Sequence, residues 1–308
     1  MDGYKTSVAQ SLYSRGNRSE VIAQILLAAA ALVSVLVTVG IVVFFVRESL
    51  SFFLADEFDI VAFFTDTTWQ PMIGRFGIWP VFTATLKVVT IALAFAMPVG
   101  IAVAIYLNEF AGSKVRRIAK PIVEVFSGIP TVVFGYFALS FISPLLQEVL
   151  GNDVVQLYNN FSAGIAVGIL LLPAVISGVD DAFGGVPYRI REAPYAVGAT
   201  RLDAFRKVVM PASKSGVAAT FVLAMSRAFG ESMIVAIVAG VGPNLTLNPF
   251  VGAETMTGYI LRIAQGDLGV GTPDYTSIFA LGLILYVVTL SLILVSRRIG
   301  GGRVARVR

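Results

Sequence analysis

Glu192-Ala193-Pro194-Tyr195-Ala196-Val197-Gly198, followed after nine residues by Val208-Val209-Met210-Pro211, lies in a basic stretch between two long apolar runs. Pro187 can open a short helix ahead of it, at a position where a missing amide costs nothing. Gly198 permits a backbone turn, and a second short helix through Arg201, Phe205 and Val208 is predicted to end near Pro211. The product is a compact helix-turn-helix carrying apolar Ala193, Tyr195, Ala196, Val197 and Phe205 among basic residues. Such a unit is shaped to lay a helix into a groove on another protein. It is equally shaped to rest on a lipid surface, where arginines attract anionic headgroups. Pattern alone leaves both readings open, and the apolar runs on either side show what the unit is attached to.

The 308 residues are 56% hydrophobic and only 14% charged, with a mean hydropathy of +0.83. That is too apolar for a soluble globular domain of this length. Crossing about 30 Å of hydrocarbon takes roughly 20 residues of helix. Six stretches are long enough, approximately Val21 to Val46, Pro80 to Leu107, Ile122 to Leu146, Ala163 to Val179, Gly216 to Val241 and Ser277 to Val295. The expectation is an all-α integral membrane protein with six transmembrane helices. The first apolar core is much longer than a signal-peptide h-region and has no small-x-small cleavage site behind it, so it is expected to remain as a helix.

Alternation of the spans puts both termini and two loops on one side. Eighteen of the 23 basic residues fall there, in the N-terminal segment, at 114–120, at 189–214 and from Arg297 onward, against Arg47, Arg75 and Arg262 on the other side. The positive-inside rule makes the first side cytoplasmic, both termini included. The net charge of +4 therefore reflects membrane topology and gives no basic face for nucleic acid. Cysteine and histidine are both absent, which excludes disulfides, thiolate or imidazole metal sites and Cys or Ser-His nucleophile arrangements. No catalytic residue and no metal ligand set is expected.

The outer segments, roughly Arg47 to Trp79 and Gly242 to Thr276, carry eight of the 19 acids and are large enough to touch an external partner. Trp69 and Trp79 read as anchors in the interfacial aromatic belt. Pro98, Pro130, Pro144 and Pro173 fall inside the apolar spans and predict kinks. Gly164 and Gly168 form a small-xxx-small pair suited to close helix packing. With no internal repeat or flexible linker, one integral domain accounts for the chain. Residues 1–20 form a cytoplasmic N-terminal segment, 21–298 the six-helix domain with the basic loop at about 180–214, and 299–308 a basic cytoplasmic tail.

The fifth span contains Ser226-Arg227-Ala228-Phe229-Gly230-Glu231-Ser232. An unpaired charge near mid-membrane costs roughly 2.5–3.5 kcal/mol on insertion scales. Read as continuous helix, Arg227 and Glu231 are four apart on one face, where they can pair. A self-neutralised pair that locks packing is one reading, and an anion site or gate is the other. Small neighbours Ala228, Gly230 and Ser232 leave room and favour the second. Four other charges have simpler accounts: Lys87 snorkels outward, Glu124 pairs with the basic cytoplasmic rim, and Asp180 with Asp181 solvates a helix end and meets Arg189 or Arg191.

The loop quoted first resembles the EAA loop of ABC importer permeases: Glu-Ala-Ala, three residues, Gly, nine residues, then an aliphatic residue and Leu-Pro. Glu192, Ala193, Gly198 and Pro211 match, Met210 replaces Leu, and Pro194 departs from the pattern. Arg227-Ala228-Phe229-Gly230-Glu231-Ser232-Met233 is similar to the Arg-Ala-Leu-Gly-Glu-Thr-Met signature of phosphate importer permeases of the PstC and PstA type. Further matches are Phe76-Gly77-Ile78-Trp79-Pro80, Pro98-Val99-Gly100-Ile101, the run from Ala104 to Ala111 through Asn108-Glu109, and Gly128-Ile129-Pro130-Thr131-Val132-Val133-Phe134-Gly135. The external stretch from Phe63 to Pro71 is closer to the PstC pattern.

This resemblance implies a type I, MetI-like permease fold in the cytoplasmic (inner) membrane of a prokaryote. It implies that Glu192, Ala193, Gly198, Arg201 and Pro211 belong to a coupling helix that docks an ATPase, and that Arg227, Glu231, Ser226 and Ser232 line the substrate pathway. The implied partners are a second, PstA-like permease subunit, a PstB-like ATPase dimer that uses ATP-Mg, an extracytoplasmic PstS-like phosphate-binding protein and the lipid bilayer. The chain itself has no Gly-x-x-x-x-Gly-Lys-[Ser/Thr] loop and no Gly-Lys pair, so it is expected to bind no cofactor and hydrolyse no ATP. The alternatives are a permease for sulfate, molybdate or phosphonate, and a stand-alone secondary transporter or channel. The docking loop and the lack of inverted-repeat signs count against the last.

Overall fold

The computed structural model describes residues 18–55, 58–266 and 272–301. Most of the expected N-terminal segment, up to residue 17, and the tail beyond 301 lie outside the described residues. Helix α1 (Arg18–Phe53) is apolar on every side and exposed along most of its length. That is the pattern of a helix solvated by lipid.

After α1 comes the short helix α2 (Ile60–Thr65), capped by the Asp59 carboxylate accepting from the Val61 amide at 2.8 Å. A two-stranded antiparallel ribbon follows, β1 (Trp69–Gln70) with β2 (Arg75–Phe76), turning through Gly74 at φ 71°. Trp69 is fully buried, its ring edge-on to Tyr259 at 5.5 Å. It is a core residue, which corrects the belt-anchor expectation. Trp79 is 40% exposed, as an interfacial residue should be, with its indole N–H donating to the Phe64 carbonyl at 2.6 Å.

Helix α3 (Trp79–Ile105) runs on through a π-helical turn at Tyr106–Phe110. The amphipathic helix α4 (Ser113–Phe126) comes next and buries none of its residues. The third span begins only at α5 (Thr131–Phe137), passes a π turn at Ala138–Ile142 and ends with α6 (Ser143–Leu150). The expected span from Ile122 is thus overturned: Ile122 belongs to α4, and Gly128-Ile129-Pro130 breaks the chain between the two helices. Pro130 precedes α5 and so is no interior kink, whereas Pro144 lies inside the continuous helix Thr131–Leu150, just after its π turn. Pro98 and Pro173 do lie inside helices.

Helix α7 (Asn160–Gly184) packs along α3, and glycines set the distance between them. A Cβ on Gly164 would meet Ile91 at 2.7 Å, one on Gly168 the Ala92 carbonyl at 3.0 Å, and one on Gly100 Val175 at 2.6 Å. The predicted close packing of the Gly164/Gly168 pair is therefore realised, against α3. Around this seam Val88, Ala92, Ala96, Val167, Leu171 and Val175 are fully buried.

The loop supplies α8 (Tyr188–Ala196) and α9 (Arg201–Ala204), the latter running through a π turn at Phe205–Val209 into α10 (Met210–Phe229). Helix α11 (Met233–Val238) follows a break, α12 (Met256–Ala264) packs on α13 (Pro273–Gly301), and α13 holds α1 through Phe279, which contacts Phe44 and Phe45. Among the described residues, six helices are long and apolar enough to cross a membrane: Glu20–Phe53, Trp79–Phe110, Thr131–Leu150, Asn160–Gly184, Arg201–Phe229 and Pro273–Ile299.

Candidate functional site

The loop folds as a helix, a turn and a second helix. Pro187 caps α8, and Pro194 lies inside it without stopping it. The Ala199 amide donates to the Pro194 carbonyl at 3.0 Å and the Gly198 amide to the Tyr195 carbonyl at 3.1 Å. These two bonds form a Schellman end, with Gly198 at φ 81° and no atom near the place of its missing Cβ. Gly198 is there for its backbone freedom. Thr200 then caps α9: its hydroxyl accepts from the Asp203 amide at 3.2 Å and donates to the Asp203 carboxylate at 2.7 Å. The Thr200-x-x-Asp203 spacing is a capping-box signal that the sequence already carries.

Of the motif residues, Glu192, Ala193, Gly198 and Arg201 are exposed. The Glu192 carboxylate, one turn on from Tyr188, hydrogen-bonds that phenol and holds its pKa above the ordinary value. Around them Tyr188, Ile190, Tyr195, Val197 and Leu202 also stand exposed, Val197 at 85%. Helix α8 buries no residue at all. The turn thus presents an uncovered apolar surface beside Arg189, Arg201 and Arg206.

Pro211 does not end the second helix. The chain is helical without a break from Arg201 to Phe229, which corrects the expected stop. Proline has no amide to give the carbonyl four residues back, and its ring crowds that carbonyl. The π turn at Phe205–Val209, immediately before Met210-Pro211, widens the helix there and absorbs both problems. Ala138–Ile142 precedes Ser143-Pro144 in the same way.

The far end of that rod carries the charged block. Helix α10 ends at Phe229, and Gly230-Glu231-Ser232 separates it from α11. The ion pair that a continuous helix would allow, the less favoured of the two readings, is therefore absent. Arg227 is exposed in the last turn of α10 and has no hydrogen bond or ion pair among the described residues. Glu231 is half-buried in the break, one carboxylate oxygen accepting from the Met233 and Ile234 amides at 3.1 and 3.2 Å. Its backbone carbonyl accepts from the Thr257 hydroxyl at 2.7 Å. Cation at a helix C-terminus and anion at the next N-terminus both oppose the local macrodipole charge. Ser226 is buried in α10, and Ser232 stands at the start of α11.

The other charges differ in detail from expectation. Lys87 reaches the outer loop, donating to the Asn248 carbonyl at 3.5 Å, in keeping with an outward anchor. Glu124 is exposed and forms no ion pair among the described residues. Asp180 is 1% exposed and meets neither Arg189 nor Arg191. It accepts instead from Asn108 at 2.8 Å, from Arg116 at 3.1 Å and from Lys120 at 2.6 Å, because α4 folds back over the end of α7. Glu254 is 2% exposed and receives a two-pronged contact from Arg262, at 2.6 and 3.0 Å. Residues far apart in sequence make the Asp180 cluster, so spacing gave no signal for it. The Glu254/Arg262 pair had one, two opposite charges eight residues apart in the same outer segment.

Residues 96–302 match the family described as binding-protein-dependent transport system inner membrane component. The chain is 30% identical over 302 residues to the probable ABC transporter permease protein YqgH of Bacillus subtilis, covering 96% of this chain and 97% of that one. It is 31% identical over 257 residues to the phosphate transport system permease protein PstC of Mesorhizobium japonicum, covering 77% of each. Among solved structures, an inward facing MetNI methionine ABC transporter overlays with a TM-score of 0.52 at 18% identity, over 77% of this chain and 99% of that chain. That likeness is one of fold.

Proposed function

This chain belongs to the family of binding-protein-dependent transport system inner membrane components, and on that premise we propose that it is the permease subunit of an ATP-driven phosphate importer, of the PstC type. Relatives named phosphate transport system permease protein PstC, at 31% and 29% identity over 77% of the chain, support the substrate. The observation that carries the mechanism is the unbroken helix from Arg201 to Phe229. One end borders the exposed apolar turn, and the other bears the unpaired guanidinium of Arg227.

In this reading the turn at Glu192, Ala193, Gly198 and Arg201 docks in a groove of a PstB-like ATPase, which binds and hydrolyses ATP-Mg. Closure of the ATPase pair pushes α8 and α9, and the rod carries that displacement through Pro211 to the break. A PstS-like binding protein delivers phosphate from outside, and a PstA-like sister permease completes the pathway. Both termini face the cytoplasm of a prokaryotic inner membrane.

The charged break suits this cargo. Phosphate at neutral pH is an anion that retains a P–OH. A guanidinium binds its oxygens as a fork, while the Glu231 oxygen that faces no backbone amide accepts the P–OH proton. Ser226 and Ser232 offer hydroxyls beside them. Sulfate has no such donor and meets only repulsion at Glu231.

ATP-driven uptake of phosphate and sulfate by the assembled complex tests this. Arg227→Gln is expected to lower phosphate uptake roughly tenfold or more, the size of one lost charge-assisted contact, with assembly intact. Parent-level uptake by an assembled Arg227→Gln complex contradicts the pathway role.

A further inference from the structure

Helix α8 is tied to the membrane helices in two directions. Forward, the turn at Gly198 leads into the continuous rod of α9 and α10. Backward, the connection to α7 is Gly184-Gly185-Val186-Pro187. A Cβ on Gly184 would meet nothing within 4 Å. Gly184 ends α7 and Gly185 caps it, its amide donating to the Asp181 carbonyl at 2.9 Å, so the backbone ties this end of α8 to α7 alone.

A polar contact spans that link. From α8, Arg191 donates through one nitrogen to the Asn108 side-chain oxygen at 2.9 Å and to the Phe183 carbonyl. Its other terminal nitrogen lies 3.4 Å from the Glu109 carboxylate, which is 10% exposed. Asn108 passes the contact inward, its amide nitrogen donating to the buried Asp180 at 2.8 Å. One guanidinium thus grips the π turn that ends α3 and the last turn of α7 together.

Apolar contacts are non-directional and let helices slide. A planar guanidinium hydrogen-bonded to two acceptors and ion-paired with a third group fixes position and orientation at once. We infer that Arg191 is the positioning residue that carries the displacement of the coupling helix to the α3/α7 pair, through Asn108 and Glu109. The rod drives α10 and the Arg191 clamp drives α3/α7, so both halves of the helical body move together. This rests on the proposed importer function. Without the clamp, α8 still docks and α10 still moves, while α3 and α7 lag.

The consequence is uncoupling, which a purely structural role would not give. In the complete complex reconstituted in vesicles, with loaded binding protein, Arg191→Gln is expected to keep ATP hydrolysis within about twofold of the parent. Phosphate taken up per ATP should fall roughly tenfold, an ordinary coupling between sites. Uptake and hydrolysis that fall in equal proportion, or an unchanged ratio, overturn the inference. Should Arg191→Gln fail to assemble, Glu109→Gln removes the charge at constant shape and carries the test with the same two outcomes. The parent complex separates the two ideas. If it takes up no phosphate on ATP, the importer reading falls and the clamp with it; if Arg191→Gln remains fully coupled, only the clamp falls.

Discussion

At Tyr259 a single ring reports how tightly the outer end of the molecule is packed. Its face lies under the Arg262 guanidinium at 5.2 Å, its edge meets Trp69, and its hydroxyl is 3.1 Å from the Ser277 hydroxyl. Burial pushes its pKa up to about 12, from an ordinary 10.0. Between those values the unfolded chain sheds the proton and the folded chain keeps it. The contribution is therefore fully present below pH 10 and is lost as pH rises toward about 12. Thermal unfolding of detergent-solubilised protein across that window should show stability falling with pH, and Tyr259→Phe should remove that part of the slope. A slope unchanged in Tyr259→Phe contradicts the assignment. Single residues were unevenly legible in the sequence. Gly198 announced its turn because only a positive φ explains it there. The charges of Arg227 and Glu231 marked the fifth span as special, but the helix break between them was not legible, since Ala228, Gly230 and Ser232 are all compatible with a packed helix. Trp69 was misplaced because composition does not say which of two tryptophans has its ring covered by another element.

Among the elements, the α3/α7 seam makes the clearest prediction. Gly168 sits against the Ala92 backbone, so a larger side chain must push the helices apart. Gly168→Val is expected to destabilise the fold by about 1–3 kcal/mol, the usual cost of overpacking. Thermal melting of the solubilised chain measures it, and a melt equal to the parent's would show that the seam opens without cost. The glycine spacing made this contact readable in advance, although only the structure supplies its partner. The helix ends were less readable. Gly128-Ile129-Pro130 looked like a kink within one apolar run and is the boundary between α4 and α5. Pro211 looked like a stop and is spanned by a π turn. In both places hydropathy is continuous while hydrogen bonding decides, and a proline tells where an amide is missing without telling how the helix accommodates it.

For the whole molecule, membrane class and number of spans were legible, because hydropathy is summed over many residues. The contacts that join the loop to the body were not. Asn108, Glu109, Asp180 and Arg191 come from three separate stretches, and only the folded chain brings them together. The resulting account is of a lever outside the hydrocarbon, a rigid helix leading from it, and a polar clamp that enlists a second helix pair. Its central claim concerns what touches the lever. A photoreactive amino acid replacing Tyr195, 44% exposed on the lever, can be activated in membranes that hold the working complex and ATP. The account predicts a covalent product between this chain and the ATPase subunit. Adducts with lipid alone, from a complex that still takes up phosphate on ATP, would contradict it.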